Sequence, residues 1–453
     1  MRRSLSFKLL SLASFRALSF EGISLFLKDI KTRVLVAFWV FGLINNVSYV
    51  IILSAAVDLV GPSIPKGLVL LVDVFPSFLV KLIAPYFIHK VLYSTRILTM
   101  FFLSASGMYI IALAPQKQVY LKLFGVLLAS LSSGLGEMSM LGLTHFYGPS
   151  SLAAWGSGTG GAGIVGAGLY VLLTSTLELT IRTSLLISAT LPFVMPIAFF
   201  TILPQGPLVK TERVDYTILP QSSTDDDNIS SYDSSQSARS DSIACYTTTI
   251  LRSDSVLDAA EPSSIDFKIK LQRARSIFLP FMLPLLLVYI AEYTINQGIA
   301  PNLLFPLSSS PFSNFRSFYP TYAFLYQLGV FISRSSLSFL TISYLLLPSI
   351  FQMLNLALLT LQALYFFLPN VTTVFVIMFW EGLLGGAVYI NTFATIMREK
   401  RGEEREWSLG ATTVSDSAGI MIASLIGIII EPRICEWNVQ SGRPWCREVG
   451  GAT

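Results

Sequence analysis

Long apolar runs alternate with short polar segments along most of this chain, and the length of the runs is the first guide to its structure. A helix needs roughly 20 mostly apolar residues to cross the hydrocarbon core of a bilayer. Runs near that length, bounded by charges, prolines or glycines, predict eleven spans and therefore an all-α polytopic membrane protein. The predicted spans are 34–56, 67–88, 96–114, 119–143, 159–176, 183–203, 276–298, 318–338, 341–367, 371–394 and 409–430.

The composition agrees with this pattern. Of the 453 residues, 53% are hydrophobic and only 13% are charged, whereas soluble domains carry about 25% charged residues. Most of the folded surface must therefore face lipid, which excludes a water-soluble protein.

The stretch 204–275 interrupts the spans with text such as "TDDDNISSYDSSQSARSDS". It has too few apolar residues to form a core, so it is predicted to be a disordered cytosolic linker whose serines are open to phosphorylation. It divides the spans into six and five, which favours a major-facilitator-like two-bundle architecture that lacks one terminal helix. The predicted units are a cytosolic basic tail (1–33), an N-terminal six-helix bundle (34–203), the linker (204–275), a C-terminal five-helix bundle (276–430) and a C-terminal tail (431–453).

Positive charge predicts the orientation. Lys and Arg are concentrated in the N-terminal tail, in the linker and in "REKRGEER" at 398–405, and such segments stay in the cytosol during insertion. The N-terminus is therefore predicted to be cytosolic, and eleven spans then make the C-terminal tail lumenal. The basic, Ser-rich first residues also have the composition of a mitochondrial presequence, but we favour an ordinary positive-inside tail.

Two short features lie outside the spans. "YTIL", from Tyr216 to Leu219, has the form of a tyrosine-based endosomal sorting signal, although four-residue patterns also arise by chance. Cys435 and Cys446 in the C-terminal tail would form a disulfide in an oxidising compartment, with two unpaired thiols as the alternative.

Sequence motifs of enzymes and cofactor sites are not found. The glycine run at 156–168 lies between predicted spans rather than after a strand, so it is neither a phosphate loop nor a dinucleotide fingerprint. His89 and His145 lie away from cysteines and carboxylates, and no zinc site follows from their spacing. We therefore predict no enzyme activity, no cofactor, no metal site and no nucleic-acid partner.

Polar residues inside the spans carry the functional information, because burying them in a bilayer is costly unless they have a partner or a role. Lys81, eight residues after Asp73 on one helix, is too far along the axis to pair with it, and we expect it to snorkel toward the cytosolic interface. Asp416, in the last span, is a further polar candidate. The predicted solute or proton path consists of Asn45, Asn46, Glu137, Tyr289, Glu292, Asn296, Arg334, Glu381 and Asn391.

Glu137 and Glu381 fall in the fourth and tenth spans, which are equivalent positions in a two-bundle carrier. Two such acids could bind a cation or carry protons. The structural alternative is that each acid hydrogen-bonds a neighbouring helix or neutralises Arg334 or Lys81. Glu292 and Asn296, four residues apart, share a helix face and either line a polar path or join an inter-helix hydrogen-bond network.

The glycines are expected at the turn between the fourth and fifth spans. There they would allow close helix packing or act as a hinge that lets the N-terminal bundle move. They are Gly156, Gly158, Gly160, Gly161 and Gly163.

Several long motifs, in order along both halves, resemble the battenin family of lysosomal and vacuolar membrane proteins, and a fungal member fits best. The human member of this family underlies juvenile neuronal ceroid lipofuscinosis. The motifs are "GLINNVSYVIILSAA" (42–56), "SSGLGEMSMLGLTHFY" (132–147), "GSGTGGAG" (156–163), "AEYTINQG" (291–298), "GVFISRSSL" (329–337) and "EGLLGGAVYINTF" (381–393).

The resemblance implies a major-facilitator-like fold in the vacuolar or lysosomal membrane. It also implies roles in vacuolar pH homeostasis, in the handling of basic amino acids such as arginine, in endosome-to-vacuole traffic and, in animals, in the clearance of glycerophosphodiesters. By motif, Glu137, Glu292, Arg334 and Glu381 occupy positions of the family pattern. The chain ends "VGGAT" rather than in the prenylation-type Cys box of mammalian members, so no lipid anchor is predicted there.

Two functions follow as hypotheses. In the first, the protein is a carrier that moves a small polar solute, with or without protons, by alternating access. In the second, it is a carrier-like scaffold that does not transport and regulates the vacuolar proton pump or membrane traffic through its linker. Membrane lipid is a partner in both.

Overall fold

The computed structural model describes residues 29–55, 66–115, 118–208, 272 and 274–449. Within these ranges the chain is mostly helical and contains no strand, and α6 and α7 include short 3₁₀ or π turns. The helices are α1 Ile30–Ser54, α2 Lys66–Ile83, α3 Tyr93–Leu113, α4 Val119–Tyr147, α5 Pro149–Val171, α6 Ile181–Ile202, α7 Ala274–Asn302, α8 Phe318–Ser335, α9 Leu346–Tyr365, α10 Val371–Glu399, α11 Gly402–Thr412, α12 Val414–Gln440 and α13 Trp445–Val449.

The polytopic all-α prediction is confirmed. In the described part of the chain, nine helical segments are long and apolar enough to cross a membrane, with α11 and α12 taken as one segment. The remaining two predicted spans coincide with α2 and α8, which have 18 residues each; α8 is the less apolar of the two, and α2 carries three charged residues. In α2 the polarity comes from Lys66, Asp73 and Lys81, and a helix with this many charges needs partners inside the bundle.

The position predicted for the glycine run is wrong. The chain turns at Gly148, whose φ of 83° is in the region that favours glycine, and α5 begins at the next residue, Pro149. The glycines from Gly156 to Gly163 therefore lie inside α5, and they do not form a turn or a hinge between spans. Helix packing explains them, because small residues in membrane helices let two backbones approach closely.

Helix α5 makes such close approaches on two sides. On one side, a Cβ at Gly158 would collide with the carbonyl oxygen of Trp39 in α1. On another side, a Cβ at Gly160 would lie 3.0 Å from the Cα of Phe331 in α8. The small residues thus allow α5 to pack closely between α1 of the first half (α1–α6) and α8 of the second half (α7–α12).

The two halves meet chiefly along two helix pairs, α5 with α8 and α2 with α12. Helices α2 and α8, the two predicted spans outside the nine apolar segments, therefore both lie where the two halves meet. A polar space between these pairs forms the site described below.

At the C-terminal end, α12 continues to Gln440 rather than ending near 430, so part of the predicted tail is helical. A short helix, α13, follows, and a disulfide joins Cys435 to Cys446, whose Cα atoms are 5.8 Å apart. Helices α1 and α7 begin at Ile30 and Ala274, slightly inside the predicted tail and linker. Most of the N-terminal tail and of the linker, including Tyr216 and Leu219, lies outside the described residues, and the lumenal side of the C-terminal tail stays a prediction.

Candidate functional site

A polar cavity of about 100 Å³ lies between the two halves. Helices of both halves line it, and charged side chains, hydroxyls and aromatic rings face it together. Polar residues in the lining are Asn46, Tyr49, Asp73, Ser77, Lys81, Ser133, Glu137 and Thr159 from the first half, and Tyr289, Tyr293, Tyr326, Gln327, Arg334, Asp416 and Ser417 from the second half.

Lys81 is the centre of a buried ionic network. Its Nζ donates hydrogen bonds to Glu137 Oε2 at 2.6 Å, to Asp416 Oδ1 at 2.9 Å and to Ser417 Oγ at 2.8 Å. The Lys81 side chain is only 3% exposed, so the prediction that it snorkels to the interface is wrong. Two carboxylates from other helices, α4 and α12, retain the ammonium group inside the bundle because they offset the cost of removing it from water.

The network extends across the two halves through aromatic side chains. The Tyr389 hydroxyl of α10 donates to Glu137 Oε1 at 2.6 Å. In turn, Trp155 Nε1 of α5 donates to the Tyr389 hydroxyl at 3.2 Å. The first half is therefore linked to the second by the Lys81–Asp416 ion pair and by the hydrogen bonds of Tyr389 to Glu137 and Trp155.

Arg334, near the end of α8, is the second cation of the cavity and is partly buried. Its Nη1 donates to Thr159 Oγ1 and its Nη2 donates to the Tyr289 hydroxyl, each at 3.0 Å. Its guanidinium carbon lies 4.0 Å from the ring centre of Tyr389, a cation–π contact. Among the described residues, no carboxylate lies within ion-pair distance of Arg334, so a positive charge held by neutral groups faces the cavity.

Glu292 and Glu381 form a separate acidic cluster in the second half. Glu292 Oε1 accepts a hydrogen bond from the Tyr326 hydroxyl, and Glu381 Oε1 accepts one from Asn296 Nδ2 at 2.9 Å. The other carboxylate oxygen of each acid has no hydrogen-bond partner in the described part of the chain. Neither Glu292 nor Glu381 is among the described residues that line the central cavity.

The two acids expected to be pseudo-symmetric therefore differ in their surroundings. Glu137 is paired with a lysine and faces the cavity, whereas Glu381 is 0% exposed and is held by an amide. Glu137 thus matches the ion-pair alternative, with Lys81 as its partner, and Glu381 matches the hydrogen-bond alternative. Asn296 shares its helix face with Glu292, as the spacing predicted, because its Nδ2 also donates to the backbone carbonyl of Glu292 at 2.9 Å.

The predicted asparagines separate into three environments. Asn46 lines the cavity and donates to the carbonyl of Gly42 at 3.0 Å. Asn45 points to α4, where its Nδ2 donates to the Ser133 carbonyl at 3.2 Å. Asn391 Oδ1 accepts from the backbone N–H of Ile342 at 2.7 Å, so Asn391 holds the segment before α9 and does not line the cavity.

The sequence matches the family profile described as CLN3 protein over residues 36–437. The chain belongs to the CLN3, or battenin, family. This confirms the identification made from the sequence motifs. The chain is 56% identical to protein btn-1 of Neurospora crassa over 440 residues, an alignment that covers 94% of each of the two chains. It is 38% identical over 434 residues to protein BTN1 of Saccharomyces cerevisiae, which covers 93% of this chain and 100% of the yeast protein.

Solved structures of transporters share the fold of this family member. The human organic anion transporter MFSD10 aligns with a TM-score of 0.52 and 13% identity, over 93% of this chain and 97% of that one. A bacterial homologue of the iron transporter ferroportin, in an outward-facing state, aligns with a TM-score of 0.51 and 13% identity, over 93% and 98% of the two chains. At this level of identity the likeness concerns the fold alone, and it confirms the major-facilitator-like architecture.

Several residues of the site were not among those predicted to line the path. Lys81 and Asp416 were recognised as polar residues in spans. Nothing in a single sequence shows that the packing of α2 against α12 brings Lys81 Nζ to 2.9 Å from Asp416 Oδ1. Tyr389 lies in the motif that follows Glu381, two helical turns further along α10, and its aromatic character gave no separate signal. A pairing rule for opposite charges in separate spans would have linked Lys81 to an acid without choosing which one.

Proposed function

We propose that this protein is a carrier, rather than an enzyme, in the vacuolar or lysosomal membrane, and that it moves a small polar solute by alternating access. The observation that carries the proposal is the central cavity, which both halves line and which Arg334 faces, partly buried and without an ionic partner among the described residues. Carriers of this architecture bind their solute near the mid-plane, between two halves that rock about it.

The contacts between the halves are of a kind that can open and close. They include the Lys81 ion pair with Asp416, the Trp155 bond to Tyr389 and the Arg334 bond to Thr159. Each of these is a polar contact whose partners water or solute groups can replace, unlike those of a packed apolar core. With the N-terminus in the cytosol, these contacts lie toward the cytosolic ends of their helices.

The charges of the cavity limit the class of solute. Arg334 suits an anionic group, because its planar guanidinium can bind a carboxylate or a phosphodiester through two parallel hydrogen bonds. Asp73 and Asp416 can face a cationic group of the same solute. Basic amino acids such as arginine carry both kinds of group, and glycerophosphodiesters carry the anionic one. Movement of such solutes would link the protein to vacuolar transport and vacuolar pH homeostasis.

Flux of radiolabelled arginine and of glycerophosphodiesters into proteoliposomes tests the proposal. Replacing Arg334 by Gln should raise KM by about tenfold or more, because a charge-assisted hydrogen bond contributes roughly 1.5–3 kcal/mol. Arg398→Gln is the matched control, since Arg398 is exposed near the end of α10. Deletion of 220–260 from the linker should leave flux unchanged.

The alternative function is the non-transporting scaffold that acts on the proton pump or on trafficking partners through the linker. It predicts that no solute enters the proteoliposomes above the rate of empty vesicles. It also predicts that deletion of 220–260 reproduces loss of the whole protein in cells. That pair of results would reject the carrier.

A further inference from the structure

A second, smaller cavity of about 20 Å³ lies inside the first half, among α1, α2, α3, α4 and α6. Its volume is sufficient for one water molecule or one small ion. Oxygen-bearing side chains are concentrated in its lining although the surrounding bundle is apolar. They are Asn45, Ser48, Tyr49, Asp73, Ser104, Ser132 and Ser133.

Asp73 is the one charged residue among the described residues that line this cavity. It is 4% exposed, and its Oδ2 has no hydrogen-bond partner in the described part of the chain. Lys81, eight residues further along the same helix, is already bound to Glu137 and Asp416. An ionised carboxylate in such a place is costly unless a cation accompanies it.

The helix that carries Asp73 is continuous, but its backbone hydrogen bonding is modified beside this residue. Pro76 lies inside α2 and cannot donate a backbone hydrogen bond. The Ser130 hydroxyl of α4 donates to the backbone carbonyl of Asp73 and accepts from the N–H of Ser77 at 3.1 Å. Ser130 therefore stands between two groups that would bond to each other in a regular helix.

We propose that this cavity binds a single sodium ion, with Asp73 as its one charged ligand. The neutral oxygens of Ser48, Ser104 and Ser132 complete the oxygen-rich surroundings that a hard cation requires. One carboxylate balances one positive charge. The described residues contain no group of three or more His, Cys, Asp or Glu side chains, which a transition metal would require.

The ion would lie beside the proposed solute site. Asp73, Tyr49 and Ser133 line both the small cavity and the central cavity. Bound sodium would neutralise the carboxylate that faces the solute, so the two sites would influence each other's affinity. That coupling rests on the proposed function, whereas binding of the ion does not.

Binding of radioactive sodium to the purified full-length protein tests the site, with choline chloride holding the ionic strength constant. Wild-type protein should bind sodium saturably, and Asp73→Asn should abolish binding. Ser48→Ala should weaken binding by about tenfold or more. Ser48 Oγ has no protein partner in the described part of the chain, so this change removes a ligand without breaking a hydrogen bond. Ser106→Ala, on the exposed face of the same helix as Ser104, should bind as wild type.

Thermal melting of each variant shows whether it is folded, and if Asp73→Asn does not fold, Ser48→Ala decides. Folded wild-type protein that binds no sodium would overturn the proposal and leave Asp73 as a proton site. Unchanged sodium binding by a folded Asp73→Asn or by Ser48→Ala would also overturn it. Transport of solute by proteoliposomes in sodium-free buffer would show that the carrier function holds even where the sodium-site proposal fails.

Discussion

Lys81 shows how a charged residue that would be unfavourable inside the bundle on its own is stabilised there by its partners. A lone ammonium group buried in a bilayer protein would cost several kcal/mol. Two acids and a hydroxyl surround it here, at 2.6–2.9 Å. The arrangement also holds Glu137 and Asp416 close together, so removing the lysine would leave two buried acids without their shared cation.

Replacement of Lys81 by Met should therefore lower the melting temperature of the purified protein sharply. Breaking a buried ion pair by removing one partner costs about 3–5 kcal/mol. Lys90→Met is the control, because Lys90 is exposed just beyond α2 and should leave the melting temperature unchanged. Adding Glu137→Gln and Asp416→Asn to Lys81→Met should restore most of the loss. A single mutant as stable as wild type would mean that the network contributes nothing to folding.

At the scale of single residues, the sequence identified which polar groups lie within the spans but not which groups they contact. The rule that charges in spans need partners selected Lys81, Glu137, Arg334 and Asp416 correctly as residues to explain. The choice of snorkelling for Lys81 failed because that interpretation considers one helix at a time. The partner acids come from α4 and α12, and only the packed bundle brings them to the lysine.

At the scale of elements, α5 illustrates how the same residues favour two different local structures. Glycine is a poor helix former in water, so a run of glycines reads as a turn. In a membrane bundle it remains helical, because backbone hydrogen bonds have no water to replace them and small residues permit close packing. The turn itself needs only Gly148, where φ is positive.

Gly158→Ala should destabilise the protein, because the new Cβ would collide with the carbonyl oxygen of Trp39 and push α1 away from α5. Overpacking of this kind costs about 1–3 kcal/mol. Gly168→Ala on the same helix is the matched control, since a Cβ there meets nothing within 4 Å. The melting temperature should fall for the first variant only. Equal stability of the two variants would show that α1 and α5 are not closely packed in the membrane.

At the scale of the whole molecule, the two-bundle architecture could be predicted from the six-and-five division of the spans. The helix pairs that join the halves could not, because their contacts depend on side chains far apart in sequence. Ser157 of α5 and Ser335 of α8 are an example, with their hydroxyl oxygens 3.0 Å apart. In a carrier that alternates, this distance must increase when the halves separate at this end.

Cysteines at these two positions therefore provide a direct test of alternating access. In the double variant Ser157→Cys/Ser335→Cys, oxidation should join α5 to α8 by a disulfide, because the side chains already meet. The single-cysteine variants, and wild-type protein taken through the same oxidation and reduction, control for the native cysteines. All should fold and reach proteoliposomes equally.

The decisive measurement is the flux of arginine or of a glycerophosphodiester into proteoliposomes that contain the oxidised double-cysteine protein. A carrier whose halves must separate between α5 and α8 predicts flux near that of empty vesicles after oxidation, and recovery of the wild-type rate after reduction. Wild-type flux from fully cross-linked protein would contradict alternating access through this cavity.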